Sequence, residues 1–220
     1  MEKNTTMKKS IIVIALALLM VGSLFAEAKD ALPASVETTV ELTLQLDDKY
    51  SFGVTNKVIN DAYVTALAAG AKSEIKSDDI IGTLNLTYNN ATYKINERAC
   101  STSDPIYVSY LFTEYKACTL SMYINKPLTS TNNNASGKKD TINYVASFKE
   151  SSDTDWTDVN SASNTAAASA VTVKEIATAA TKIGEHVQGS FELKISSTDS
   201  LEGKIEDTYS SQIVLCIAAK

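Results

Sequence analysis

The sequence has few of the residues on which most enzyme sites depend. It contains one histidine, His186, one tryptophan, Trp156, and three cysteines in 220 residues. It has no nucleophile motif G-x-S-x-G, no phosphate-binding G-x-x-x-x-G-K-[ST], no zinc-binding H-E-x-x-H and no dinucleotide fingerprint. We therefore expect no enzyme activity and no cofactor. We interpret His186 as a surface residue at a strand boundary.

Positive charge is outnumbered by negative charge beyond the N-terminal segment. The chain carries a formal net charge of −6 and no cluster of basic residues. Such a balance argues against nucleic-acid binding and against docking on an anionic lipid surface. The partners that we expect are a protein or a surface glycan.

Only one long apolar run is present, and it lies at the N-terminus. Residues 11–26 are apolar or small and follow Lys3, Lys8 and Lys9. This run has 16 residues, whereas a membrane-spanning helix needs roughly 20. We predict a secretory signal peptide over residues 1–26, cleaved after Ala26 or Ala28. The mature chain, residues 27–220, is then a single domain without a membrane span, exported to the periplasm, the cell surface or the extracellular space.

The three cysteines lack the close pairs that zinc sites use. In an oxidising compartment two of them can pair. Cys100 and Cys118 lie in or beside neighbouring predicted strands, so we predict a disulfide between them. Cys216 is then left as a small buried apolar residue or as an intermolecular link.

Alternation of apolar and polar residues dominates the mature chain. The clearest case covers residues 36–46, where Val40, Leu42, Leu44 and Leu46 share one face. Residues 62–71 fit a short helix or a loop, and residues 176–183 a short helix. The composition predicts loops at 130–139 and 151–164. Further strands are predicted at 50–57, 80–88, 92–95, 106–112, 118–124, 142–148, 170–173, 191–195 and 213–217, with a turn at Asn89-Asn90.

This spacing predicts an all-β fold, an immunoglobulin-like or Greek-key β-sandwich with one or two short helical segments. Ten tyrosines accompany the single tryptophan. Six of them cluster between residues 88 and 123, in the middle third of the chain, where they suit a binding face or the half-wet outer face of a sheet. They are Tyr88, Tyr93, Tyr107, Tyr110, Tyr115 and Tyr123.

One loop has a ligand-like spacing of acidic residues. Asp153, Asp155 and Asp158 alternate around Trp156, and alternating oxygen ligands can wrap Ca²⁺. The glycine and the closing glutamate of the helix-loop-helix calcium motif are absent, so we interpret the segment as a solvated turn. Trp156 either contacts a sugar or a partner, or anchors the loop on the sandwich. We favour the anchor.

The chain resembles bacterial pilin and fimbrial subunits of the chaperone–usher kind. The features that match are the N-terminal signal, the alternating strand at 36–46, an all-β body and the final segment 209–218. The resemblance implies that the first strand completes the sandwich of a neighbouring subunit, with Val40, Leu42, Leu44 and Leu46 as donor residues. The chain lacks an aromatic residue at its C-terminus and carries an unusual Ala/Thr-rich insertion, residues 166–183.

A self-contained immunoglobulin-like adhesion domain shows the same alternation, with the first strand paired inside its own chain. The sequence therefore predicts an exported, non-catalytic β-sandwich in surface structure, adhesion or ligand binding. One alternative is a fimbrial subunit assembled by donor-strand addition. A second is a periplasmic protein with an enzymatic or calcium-binding role.

Overall fold

Alternating residues form strands throughout the part of the chain that the computed structural model describes. That part comprises residues 50–67, 74–113, 117–177 and 186–220, together with the backbone of residues 36–42. The fold is all-β, as predicted. The strands are β1 (Val36–Leu42), β2 (Tyr50–Thr55), β3 (Thr83–Leu86), β4 (Tyr88–Asn89), β5 (Lys94–Ile95), β6 (Arg98–Ala99), β7 (Tyr107–Thr113), β8 (Cys118–Ile124), β9 (Leu128–Asn133), β10 (Lys139–Ile142), β11 (Val145–Lys149), β12 (Thr157–Asn160), β13 (Val171–Ile176), β14 (His186–Ser196) and β15 (Tyr209–Ala219).

The strands form two large sheets and one small hairpin. Sheet 1 has the order β10-β9-β15-β1-β3, and β8 pairs with both β15 and β13. Sheet 2 has the order β12-β11-β14-β7-β2, and β6 also pairs with β14. The strands β4 and β5 form the separate hairpin. Buried side chains of both sheets make one continuous core. The described chain is therefore a two-layer sandwich.

β1 lies inside sheet 1 rather than at its edge. It runs parallel to β15, with Val36 opposite Tyr209, and antiparallel to β3, with Val36 opposite Leu86. Among the described strands, β3 has no other partner in sheet 1. β1 therefore joins β3 to the rest of the sheet.

Tyr144 stands where the chain leaves sheet 1 for sheet 2, between β10 and β11. It is 1% exposed, and its hydroxyl lies 2.9 Å from Ser211 Oγ on β15. Since Ser211 donates its proton to the Lys126 carbonyl, Tyr144 is the donor to Ser211. The alternation over 142–148 predicts one strand, but the structure divides this segment between β10 in sheet 1 and β11 in sheet 2. The alternation is unbroken because the inward-facing residues on both sides of the crossing pack into the same core.

Both segments predicted as loops from their polar composition contain strands. β9 extends to Asn133 and β12 occupies part of 151–164. In β9 the buried Ser130 donates to the Asn132 carbonyl and accepts the Asp140 amide, so a polar side chain supports the strand. Polar composition predicted loops in these two segments because half of the residues in each strand are exposed to solvent.

The two helix predictions have different outcomes. Residues 62–71 do contain a helix, α1 (Asp61–Ala66), which begins after Asn60 and is capped by that side chain. The prediction of a helix at 176–183 is wrong at Ile176, because that residue ends β13. Residues 178–185 lie outside the described part of the chain. No helix among the described residues has the length and apolar character that a membrane crossing requires.

A chain of hydroxyl groups fixes the segment before α1 to the outer face of sheet 2. The Ile59 amide donates to Ser190 Oγ, and Ser109 Oγ lies 2.7 Å from both Ser190 Oγ and Thr55 Oγ1. Thr55 donates its own proton to the Lys57 carbonyl, so it must accept from Ser109. Ser109 in turn accepts from Ser190. Each hydroxyl donates once and accepts once, so the cluster leaves no hydroxyl without a partner.

Gly189 on β14 leaves room for the Tyr110 ring on the neighbouring strand β7. A Cβ atom at Gly189 would lie 2.7 Å from Tyr110 Cε1, and that ring is held in the core against Phe112 and Phe191. We expect Gly189→Ala to lower the free energy of unfolding by about 1–3 kcal/mol through overpacking, measured by urea denaturation.

Gly82 provides the matched control for this prediction. No atom lies within 4 Å of a Cβ built at Gly82. Gly82→Ala should therefore be neutral or stabilising by less than about 1 kcal/mol. Equal stabilities of the two variants would show that the Tyr110 ring can move at little cost.

Candidate functional site

The acidic residues predicted as a calcium candidate are not gathered around one point. Asp158 Oδ1 accepts the Ser147 hydroxyl at 2.7 Å, and the Lys149 ammonium donates to the Asp153 carbonyl. Among the described residues, no group of three or more acidic, histidine or cysteine side chains is arranged to hold a metal ion. The structure thus gives the set Asp153, Asp155 and Asp158 no metal-binding geometry.

Trp156 is half-buried beside the outer face of sheet 2. The Lys194 ammonium lies 4.6 Å from the centre of a Trp156 ring, and the Lys149 ammonium lies 5.3 Å away. Lys149 belongs to β11 and Lys194 to β14, so these contacts attach the 151–156 loop to two strands. This geometry agrees with the favoured interpretation of Trp156 as an anchor.

All three cysteines are free thiols, so the predicted Cys100–Cys118 disulfide is not formed. Cys100 lies beside Tyr107, the first residue of β7, and its amide donates to Leu193 of sheet 2. Cys118 opens β8 in sheet 1, after the far end of β7. A seven-residue strand spans about 20 Å, and bridged Cα atoms lie within about 7 Å. The prediction failed because Cys100 lies near the start of β7 and Cys118 follows its far end, so the length of that strand separates the two residues.

Among the remaining predicted residues, the structure places His186, Cys216, Val40 and Leu42 on strands. His186 opens β14 and is half-buried, and Cys216 of β15 lies with its Sγ 3.1 Å from Ser121 Oγ. In β1, Val40 is in register with Ile213 and Leu42 with Leu215. Leu44 and Leu46, also predicted as pairing residues, lie outside the described part of the chain.

A buried carboxylate under α1 is occupied by structural contacts. Asp79 is 3% exposed and accepts the Tyr63 hydroxyl and the Lys57 ammonium, each at 2.7 Å. Burial alone would raise the pKa of Asp79, but hydrogen bonds from Lys57 and Tyr63 lower it below its ordinary value. Burial also raises the pKa of Tyr63 to about 12. Asp79 is thus a charged, fully partnered anchor for the loop after residue 74.

A recess lies at the end of the sandwich where β1 begins. Leu86, Val36 and Tyr209 share one row of sheet 1, and the recess lies beyond that row. It has a volume of about 170 Å³. We call it the tyrosine groove; its walls include Tyr88, Tyr93, Leu201, Glu206, Asp207 and Tyr209.

The β4–β5 hairpin positions the aromatic wall of the tyrosine groove. Asn89 Oδ1 accepts the Ala91 and Thr92 amides, and the Asn89 carbonyl accepts the Tyr93 amide at 2.8 Å. These bonds hold Tyr93 at φ +51°, a left-handed conformation that is rare for a bulky residue. The Tyr93 carbonyl accepts the Leu201 amide, so the hairpin is tied to the opposite wall. Tyr93 is 50% exposed at the rim.

Residues 197–208 form the opposite wall, and carboxylates attach them to β9 and β10. The Ile205 amide donates to Asp140 Oδ2 at 2.9 Å, and the Asn132 amide donates to Asp207 Oδ2. The Ile205 hydrogen bond and then that from Asn134 lower the pKa of Asp140. Burial opposes the shift at Asp207, where hydrogen bonds from Asn132 and the Thr208 amide still lower the pKa. Both carboxylates are therefore charged near neutral pH.

Tyr209 closes the inner end of the groove. Its hydroxyl donates to the Ile205 carbonyl at 3.0 Å, four residues earlier in the chain. Burial first, and then the charges of Asp140 and Asp207, raise the pKa of Tyr209 to about 12. The phenol therefore stays neutral beside an acidic wall.

Sequence patterns indicated part of this groove. Tyr88 and Tyr93 belong to the predicted tyrosine-rich third of the chain and flank the predicted Asn89-Asn90 turn. Glu206 and Asp207 were not singled out, because no local pattern connects them to a hairpin more than 100 residues earlier. Only the pairing of β1 with both β3 and β15 brings these segments together.

The fold and the groove define an all-β sandwich with an aromatic, acidic recess at one end. Comparisons with protein-family models, curated proteins and solved structures give no match to this chain. The groove is therefore interpreted from its own geometry and charge.

Proposed function

We propose that this chain is an exported, non-catalytic β-sandwich that acts by binding, in surface structure, adhesion or ligand recognition. The observation that carries the proposal is the position of β1 between β15 and β3 of the same chain. A sandwich whose first strand is already paired internally leaves no strand vacancy there for a neighbour to fill. Such a chain suits a self-complete binding module.

We also propose the finer fold, an immunoglobulin-like or Greek-key sandwich. The chain changes sheets repeatedly, from β7 to β8, β10 to β11, β12 to β13, β13 to β14 and β14 to β15. The hydrogen bond from the Tyr209 hydroxyl to the Ile205 carbonyl, at the entry to β15, has the pattern of the tyrosine corner of such sandwiches. Parallel pairing of β1 and β15 adds a further non-local connection between the chain's first and last strands.

A fimbrial subunit is the second candidate, and one observation favours it. Among the described strands, β3 is connected to the rest of sheet 1 only by its pairing with β1. The same slot could take the first strand of another copy by strand addition. In that assembly, Val40 and Leu42 would keep their register with Ile213 and Leu215 across two chains.

The solution mass of the mature chain distinguishes these candidates. We expect light scattering to give a monomer at all protein concentrations tested, because β1 is paired within its own chain. A mass that rises with concentration would contradict the self-complete module and favour the fimbrial subunit. Size-exclusion chromatography at high salt provides the control, since it removes association through surface charge.

A further inference from the structure

The tyrosine groove combines aromatic side chains with a small volume. Tyr88 and Tyr93 come from the hairpin and Tyr209 from β15, while Ile142 and Leu201 contribute apolar surface. Its 170 Å³ is below the roughly 300 Å³ at which drug-sized pockets begin. The groove therefore has room for one headgroup or one side chain.

Negative charge predominates around these rings. Glu206 and Asp207 line the groove and Asp140 lies behind Tyr209, whereas Lys204 is the one basic residue among the groove's described walls and Lys139 lies close enough to act on Asp207 from outside them. None of the ion pairs among the described residues involves Asp140, Glu206 or Asp207. Carboxylate charge and aromatic rings therefore line the same groove, and both kinds of group attract cations.

We infer that the tyrosine groove binds a small organic cation, an alkylated ammonium group, between the Tyr88 and Tyr93 rings and the Glu206 and Asp207 carboxylates. This inference rests on the proposed role as a binding domain and gives that role a ligand class. A cation exploits both features of the groove, because tyrosine rings attract cations and the carboxylates complement the charge. A neutral sugar would use the rings and the hydrogen-bond acceptors but would gain nothing from the excess negative charge.

The test compares choline with its neutral carbon isostere, 3,3-dimethylbutan-1-ol, by NMR titration of the mature chain. The two molecules have nearly the same shape and differ in charge. We expect choline to shift the signals of Tyr88 and Tyr93, and to bind at least tenfold more tightly than the isostere. Raising the salt concentration should weaken the binding of choline.

Two variants test the named groups without disturbing the hydrogen bonds that hold the wall. Tyr93→Leu keeps an apolar side chain but removes the ring, and should weaken choline binding about three- to thirtyfold. Glu206→Gln removes one exposed charge and should weaken it about two- to fivefold. Glu202→Gln is the matched control, since Glu202 lies in the same loop and does not line the groove; it should leave the affinity unchanged.

Three results would overturn the inference. Equal binding of choline and the isostere would show that charge does not matter. Saturable binding of neutral monosaccharides without binding of choline would assign the groove to sugars. No shift with choline in a chain shown to be folded and monomeric would remove the cation site while leaving the proposed binding module intact.

Discussion

Removal of residues 29–47 from the mature chain should abolish cooperative folding. The deletion takes away β1, and β3 and β15 are then separated by two strand spacings, about 10 Å, which their backbone groups cannot bridge. The loss exposes core residues of β15 and β3 that are at most 4% exposed, among them Ile213, Leu215 and Leu84. A domain stabilised by roughly 5–15 kcal/mol does not tolerate the loss of a central strand.

Circular dichroism during heating measures this effect. We expect a sharp transition for the mature chain and none for the deleted chain. Removal of residues 29–35 alone is the matched control, because it leaves β1 in place, and it should preserve the transition. An added peptide of residues 36–47 should restore folding to the deleted chain. A cooperative transition near the original melting temperature without the peptide would show that β1 is dispensable.

Tyr144→Ala is expected to be the most destabilising of the single substitutions considered. Tyr144 is among the largest fully buried side chains and packs where the chain crosses between the sheets. Truncation leaves a cavity and should cost about 3–5 kcal/mol of unfolding free energy. Tyr144→Phe keeps the ring and removes only the hydrogen bond to Ser211, so it should cost about 0.5–1.5 kcal/mol.

Urea denaturation of the two Tyr144 variants gives their free energies of unfolding, and the difference separates the contribution of ring packing from that of the hydrogen bond. Tyr93→Phe is the control, since Tyr93 is 50% exposed and its substitution should change stability by less than about 0.5 kcal/mol. If Tyr144→Phe were as destabilising as Tyr144→Ala, the hydrogen bond to Ser211, and not the ring, would be the main contribution of this residue.

Strand positions were well predicted where alternation is strong. The segments at 106–112 and 118–124 match β7 and β8 to within one residue, and β1 begins at Val36 as predicted. Alternation reports which side chains face inward, and inward residues of either sheet meet the same core. For that reason it could not show that residues 142–148 are divided between two sheets, or that Cys100 and Cys118 lie near opposite ends of β7.

The tyrosine groove was predictable only in part, for a related physical reason. Its hairpin is local, and Asn89-Asn90 marks the turn that places Tyr88 and Tyr93. Its acidic wall comes from a loop whose position depends on Asp140 and on the pairing of β15 with β1. Contacts across such sequence distances leave no periodic signal in a single chain.

The pairing of β1 with β15 has a consequence for the time course of folding. Val36 and Tyr209 are opposite one another in the sheet but 173 residues apart in sequence. Contacts of this separation slow folding, because the entropy of closing the intervening chain is lost before the contact forms. During synthesis the first strand emerges long before its principal partner, and sheet 1 can close only when the last strand has arrived. The apolar face of β1 therefore stays without its partner strand until residues 209–215 have been made.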